Sequence, residues 1–239
     1  TYAMQTIAHN TVVVDQRTQA EGKEAASEAT WADRHFFDAR TPHAQAMSAR
    51  ADRFYEGVGM QRTMLLLRDG RLPYPVVVDL YRLTAGGERG YDYPIHFRGQ
   101  LINTNVRYTP SLVRLEPLGT GHGYQHVWRE ATGATDSTVR LTWLDGNRYY
   151  TVTTSGAPNT SVILGRTGAN DPNFNLIVEP MLIVRRRAAD HVFASVIEPH
   201  GYFNEAQERS EQARPLVQDV RVLGSDAAAT VAEATGQNG

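Results

Sequence analysis

Apolar residues in this chain come in short β-branched runs broken by turn residues, with little helical periodicity between them. Residues 11–14, Thr-Val-Val-Val, predict a buried strand, because side chains of that shape pack well on a pleated surface. From residue 61 the pattern repeats. Residues 64–67 run into Asp69 and Gly70, a pair that tolerates positive φ in a turn. Residues 75–83 form a second strong strand, ended by Ala85, Gly86 and Gly87. Further strands are predicted over 91–99, 101–108, 113–115, 124–130, 139–144, 148–154, 161–164, 176–187, 192–198 and 216–223. Asp145, Gly146 and Asn147 link two of them as a hairpin.

Short strands at this spacing predict an all-β fold, a large antiparallel β-sandwich over residues 1–225. Residues 226–239 are small and polar and are expected to fray. Residues 16–50 are polar and small, and read as a long excursion with one helical turn. Such excursions are uncommon in compact domains and often line sites. His35 and His43 lie in it without a spaced partner, and are expected at the surface.

At 239 residues with 41% hydrophobic and 21% charged positions, the chain can bury one sizeable core. No apolar run is long enough to span a bilayer. A net charge of −2 argues against nucleic-acid binding. There are no cysteines, so disulfides and thiolate ligands are excluded while the compartment stays open. Lys23 is the sole lysine, and arginine supplies every other basic residue. The arginine fork grips carboxylates two-handed and suits uronic acids, although a GC-rich genome would give the same bias. The chain opens at Thr1 just ahead of a strand and without an export signal, which suggests a piece of something longer.

Several clusters could carry chemistry. His9 and Asn10 stand immediately before the 11–14 run, an imidazole and an amide placed by a rigid element. His96 and Arg98 flank Phe97. His122, Tyr124 and His126 would share one face if their stretch were a strand. Glu198 and His200 close another strand. Taken singly, none is specific, and packing roles compete with sugar contact. Walker-type, Gly-x-Ser-x-Gly and His-Glu-x-x-His motifs are absent.

Their order is more informative. The 5–15 segment, Gln-Thr-Ile-Ala-His-Asn-Thr-Val-Val-Val-Asp, resembles heparinase II/III-like polysaccharide lyases, in particular the exo-type oligoalginate lyases. Residues 72–82, 93–100, 123–128, 168–176 and 195–201 resemble the same family in the same order. The 22–50 stretch departs from its pattern.

The resemblance implies the C-terminal sandwich of a two-part enzyme whose N-terminal α/α toroid lies upstream. It implies cleavage of alginate or another uronate oligosaccharide by β-elimination, exolytically, in the periplasm or outside the cell. No catalytic residue is expected in this chain. A catalytic tyrosine is expected just upstream of Thr1, and Tyr2 is expected to match a neighbouring aromatic instead. His9 matches a zinc ligand of the family, the metal being read as structural with its other ligands upstream and Asn10 orienting the ring. Substrate contacts are assigned to Arg98, His126, Glu198 and His200. The reading admits a homo-oligomer. A heparan sulphate or hyaluronan lyase is the runner-up, and a non-catalytic carbohydrate-binding sandwich is the third reading.

Overall fold

A computed structural model describes residues 1–226 and 229–236. Eighteen strands are present among them. They are β1 (Val13–Val14), β2 (Asp33–Thr41), β3 (Ala44–Tyr55), β4 (Val58–Leu67), β5 (Val76–Ala85), β6 (Arg89–His96), β7 (Gln100–Thr104), β8 (Tyr108–Pro110) and β9 (Glu116–Pro117). They continue as β10 (Val127–Thr135), β11 (Val139–Asp145), β12 (Arg148–Thr154), β13 (Thr160–Thr167), β14 (Pro180–Ala188), β15 (His191–Asn204), β16 (Arg209–Glu211), β17 (Val217–Ser225) and β18 (Thr230–Gly236).

A seven-stranded sheet in the order β1-β6-β14-β13-β10-β8, with β9 beside β10, faces a nine-stranded one. The larger sheet runs β2-β3-β4-β5-β15-β12-β11-β7, with β16 beside β15. All pairings are antiparallel, so the expected sandwich is what forms.

The core between the sheets gathers Val12, Val14, Tyr81, Leu83, Tyr93, Leu141, Leu182, Val184 and Phe193. Met181 to Val184 are all buried, on both faces of β14. The reason is a second apolar layer on the outer face of the smaller sheet, where Ile7, Val13, Tyr124 and Leu118 cover Ile163, Met181 and Ile183. A strand covered on both sides reads as a continuous apolar run instead of an alternating one. The central strand β15 of the larger sheet is roofed likewise, by Val217 and Val220 of β17 over Val192, Ala194 and Val196.

Four local expectations change. Residues 33–55 form the hairpin β2–β3 at the edge of the larger sheet, where a long excursion was expected. All but one residue of β2 is exposed, so no buried face imposes an alternating pattern. The helical turn of that stretch is α1 (Glu24–Glu28). Residues 113–115 and 176–179 lie outside strands, and pairing starts instead at Glu116 and Pro180. The stretch around His126 is a 3₁₀ turn, Tyr124–His126, because His122 and Gly123 both take positive φ and break the strand. Finally, Thr230–Gly236 pairs with β17 in a two-stranded ribbon where fraying was expected. The side chains of Thr230–Gly236 are mostly exposed, so the sequence carries no apolar signal there.

Candidate functional site

The N-terminal segment crosses the outer face of the smaller sheet and turns at its edge. Two 3₁₀ turns, Tyr2–Met4 and Thr6–Ala8, carry it there. The backbone N–H of Thr6 donates to Thr18 Oγ1 at 2.9 Å, and Thr6 Oγ1 accepts from Gln19 N at 2.7 Å. Ile7 is fully buried and anchors the segment in the outer apolar layer. Gly123 sits so close beneath it, at φ +90, that a Cβ would lie 2.5 Å from Ile7 Cγ2.

At the sheet edge the chain is clamped from both sheets. Asn10 Oδ1 accepts from the His96 backbone N–H at 2.7 Å, and His96 Nε2 lies 2.9 Å from the Ile7 carbonyl. Arg62 donates one NH to the Asn10 carbonyl at 2.7 Å and grips Asp79 two-handed, at 3.0 and 2.7 Å. Tyr93 donates its hydroxyl to the same carboxylate, and Asp79 is only 1% exposed. Tyr81 and Thr11 join hydroxyls at 3.0 Å. His9 is thus held outward at a fixed place on a rigid edge. Its Nε2 faces the Ala3 carbonyl at 2.9 Å, so that nitrogen is the donor of the pair and Nδ1 is the one left to face a ligand.

Beyond His96 opens a cleft of about 300 Å³ lined by Phe97, Arg98, Trp143, Asp145, Tyr150 and Glu179. Trp143 and Tyr150 stack with centroids 5.5 Å apart, and Phe97 tilts against Trp143 at 5.4 Å. Arg98 is largely exposed and pairs with Glu179 at 3.2 Å. Aromatic faces beside an exposed guanidinium suit a sugar ring bearing a carboxylate. Burial pushes the His96 imidazole below its ordinary pKa, against the Ile7 carbonyl and Glu179, and keeps it neutral.

Glu179 also acts on Tyr2. Burial first, and then this carboxylate, push the Tyr2 phenol well above its usual range. The Tyr2 ring meets His126 edge-on at 5.9 Å. His126 is fastened to the 168–170 loop: its ring Nδ1 faces the Ala169 carbonyl at 3.1 Å, and its own carbonyl accepts from Gly168 and Ala169. Glu179 thus pairs with Arg98 and also lies near enough to Tyr2, beside His126, to act on its phenol.

Glu198 and His200 lie apart from these residues. Each is 1% exposed, on the far side of the larger sheet. The Glu198 oxygens accept the backbone N–H groups of Leu216 and Val217 at 2.8 and 2.9 Å. His200 lies between Thr151 Oγ1 at 2.8 Å and the Gln212 carbonyl at 2.9 Å. Glu198 holds the start of β17 and His200 holds the segment just before it, and neither has surface left for a ligand. Sequence reasoning missed Trp143, Tyr150 and Glu179. The alternation of aromatics into and out of the 145–147 hairpin was the available signal for the first two. His35 and His43 are exposed, as expected.

The family described as heparinase II/III-like, C-terminal, matches residues 1–221. An alginate lyase of Stenotrophomonas maltophilia (strain K279a) is 38% identical over 229 residues, 95% of this chain and 31% of that protein. An exo-oligoalginate lyase of Saccharophagus degradans is 34% identical over 230 residues, 92% of this chain and 31% of that protein. The chain thus spans about a third of the length of these curated relatives. Among solved structures, the heparan sulfate lyase HepC of Pedobacter heparinus superposes with TM-score 0.55 at 14% identity, over 93% of this chain and 27% of that one. The heparinase III BT4657 gene product superposes with TM-score 0.60 at 11% identity, over 98% and 29%. At such identities the last two speak for the fold alone.

Proposed function

The chain belongs to the heparinase II/III-like C-terminal family, and from that premise we propose that it is the sandwich portion of a lyase that cleaves alginate or oligoalginate by β-elimination. One observation carries the substrate: relatives named for alginate and oligoalginate are 38% and 34% identical across nearly the whole chain. The heparan sulfate lyase HepC, by contrast, is 14% identical and speaks for the fold alone. A net charge of −2 also suits a carboxylated substrate better than a sulphated one.

In the elimination a base takes the C5 proton, the C4–O4 bond breaks as a C4–C5 double bond forms, and an acid returns a proton to O4. Neutralising the uronate carboxylate acidifies that C5 proton and stabilises the enolate. Arg98, with the Trp143–Tyr150 stack beside it, is the group of this chain suited to hold a carboxylate. His126 and Tyr2 shape the neighbouring wall. The proton-transferring groups are assigned to the upstream part, a toroid closing over this surface, with exolytic cutting and a periplasmic or extracellular setting.

His9 fits a metal site in one respect: an exposed imidazole with one nitrogen tied to a carbonyl presents the other to a ligand. Among the described residues no group of three candidate ligands forms, so the remaining donors would come from the upstream part. A zinc ion there would fasten the two parts together. Among the described residues no helix is long and apolar enough to cross a membrane.

The test is ultraviolet absorbance of the new double bond with the full-length protein. A rise on alginate oligomers and none on heparan sulphate or hyaluronan supports the reading. The reverse moves it to a glycosaminoglycan lyase, and binding without any rise moves it to a carbohydrate-binding module.

A further inference from the structure

The 22–50 stretch folds largely into the β2–β3 hairpin and brings a surface of its own. Across β2, β3, β4 and β5 the paired residues Arg34, Ala49, Arg62 and Tyr81 form one row. Phe37, Met47, Met64 and Asp79 form the next. Directly opposed residues share a face, so both rows lie on the face that carries Tyr81 into the interior. At β5 the smaller sheet roofs that face. At β2 and β3 it runs past the sheet's edge, and Phe37 and Met47 are 67% and 54% exposed.

The overhang forms a hollow of about 440 Å³ lined by Arg34, Phe37, Met47, Ala49, Arg62 and Met64, among others, with no carboxylate in its lining. The nearest acids of β2 are already engaged: Asp33 pairs with Arg53 at 3.1 Å and Asp38 with Arg40 at 2.6 Å. Arg34 has no side-chain partner among the described residues. Arg62, two strands and roughly 10 Å away at ordinary strand spacing, bonds Asn10 beside His9. A second hollow, about 810 Å³, has four aspartates, Asp136, Asp190, Asp219 and Asp226, against two arginines, Arg82 and Arg221, in its lining, so it suits an acidic sugar less well.

We infer that the overhang is a distal uronate subsite, in which Arg34 takes a sugar carboxylate two-handed and Phe37 and Met47 lie under the C–H face of the ring. It rests on the eliminase reading above and adds where a longer chain is held. An unpaired guanidinium binds a carboxylate without first giving up a partner, and its planar fork fixes the sugar's orientation. The ring and thioether surfaces exclude water from the contact.

The test uses the full-length protein with Arg34→Ala, Arg34→Lys and Phe37→Ser, and alginate oligomers of increasing length. Both sites are exposed and outside the core, so folding is retained. Arg34→Ala should raise KM for the longer oligomers about tenfold with kcat unchanged, and leave the shortest cleavable oligomer alone. Lysine should restore part of the loss. Unchanged KM at every length in both Arg34→Ala and Phe37→Ser overturns the subsite. So does a change in oligomeric mass by light scattering with KM unmoved, which assigns the overhang to protein contact. If the wild type cleaves no uronate oligomer, the eliminase reading falls. Calorimetric loss of oligouronate binding in Arg34→Ala would then still uphold the subsite, and its retention would refute both.

Discussion

Replacing Asp79 by alanine is the most informative single perturbation of the scaffold. Its carboxylate is buried and accepts three hydrogen bonds, two from Arg62 and one from Tyr93. Hydrogen bonds to a charged group are worth about 1.5–3 kcal/mol each, a gross loss well above 4 kcal/mol. Removing the carboxylate also removes its own desolvation cost, and the Arg62 side chain, 28% exposed, regains some water. Breaking a buried pair costs about 3–5 kcal/mol, and the lower half of that range applies here. Tyr93, buried against this carboxylate, loses the acceptor of its hydroxyl and falls back on Ser195. Asp79→Asn, with one acceptor oxygen left, should lose about 2 kcal/mol. The assay is amide hydrogen exchange resolved by peptide, which reads local opening free energy. Peptides of β4 and β5 should lose that much protection. The 5–12 segment should lose it too, because Arg62 no longer holds the Asn10 carbonyl. A loss under 1 kcal/mol in Asp79→Ala, or protection of 5–12 unchanged, would refute the reasoning.

Three further outcomes are expected. Gly123→Ala places a Cβ against Ile7 and Gln5 at a positive-φ position, and should cost about 2–3 kcal/mol in denaturant unfolding; a neutral effect would show that the N-terminal segment is not packed there. His191 is held neutral by burial and by Arg186, its pKa lowered to about 4. The unfolded chain takes up a proton near the ordinary value of about 6.5 while the folded one does not, so stability falls as pH drops from there to 4. The loss reaches about 3 kcal/mol and levels off below that. Replacing His191 by phenylalanine should flatten that part of a urea-midpoint profile, and an unchanged slope contradicts the assignment. His9→Ala in the full-length protein should reduce bound zinc and thermal stability more than turnover; unchanged zinc by metal analysis removes His9 from the ligand set.

The fold was legible where one or both strand faces are buried, as at 75–83 and 192–198. It was illegible where exposure erases the pattern. β2 has almost no buried side chain, and the side chains of β18 are mostly exposed, so neither shows an apolar period. The turn at Tyr124–His126 was hidden for a different reason: two residues at positive φ switched the conformation inside a stretch of strand-like composition. Site chemistry was harder to read than the fold. Arg98 lines the cleft beside Trp143 and Tyr150, whereas Glu198 and His200 carry equally suggestive chemistry and spend it inside the protein, on the N–H groups of Leu216 and Val217, the Gln212 carbonyl and the Thr151 hydroxyl. A carboxylate that accepts two N–H bonds inside the protein looks the same in sequence as one that waits for a ligand. Glu179, which links Arg98 to Tyr2, is 81 positions from Arg98 and only the sheet pairing brings them together.

Mass spectrometry of the ends produced by the full-length protein from oligoalginate in heavy-oxygen water tests the central claim most directly. Elimination predicts unsaturated, water-deficient uronate ends with no solvent oxygen at the cleaved bond. Saturated ends that carry the heavy oxygen would mean hydrolysis, and would contradict the account.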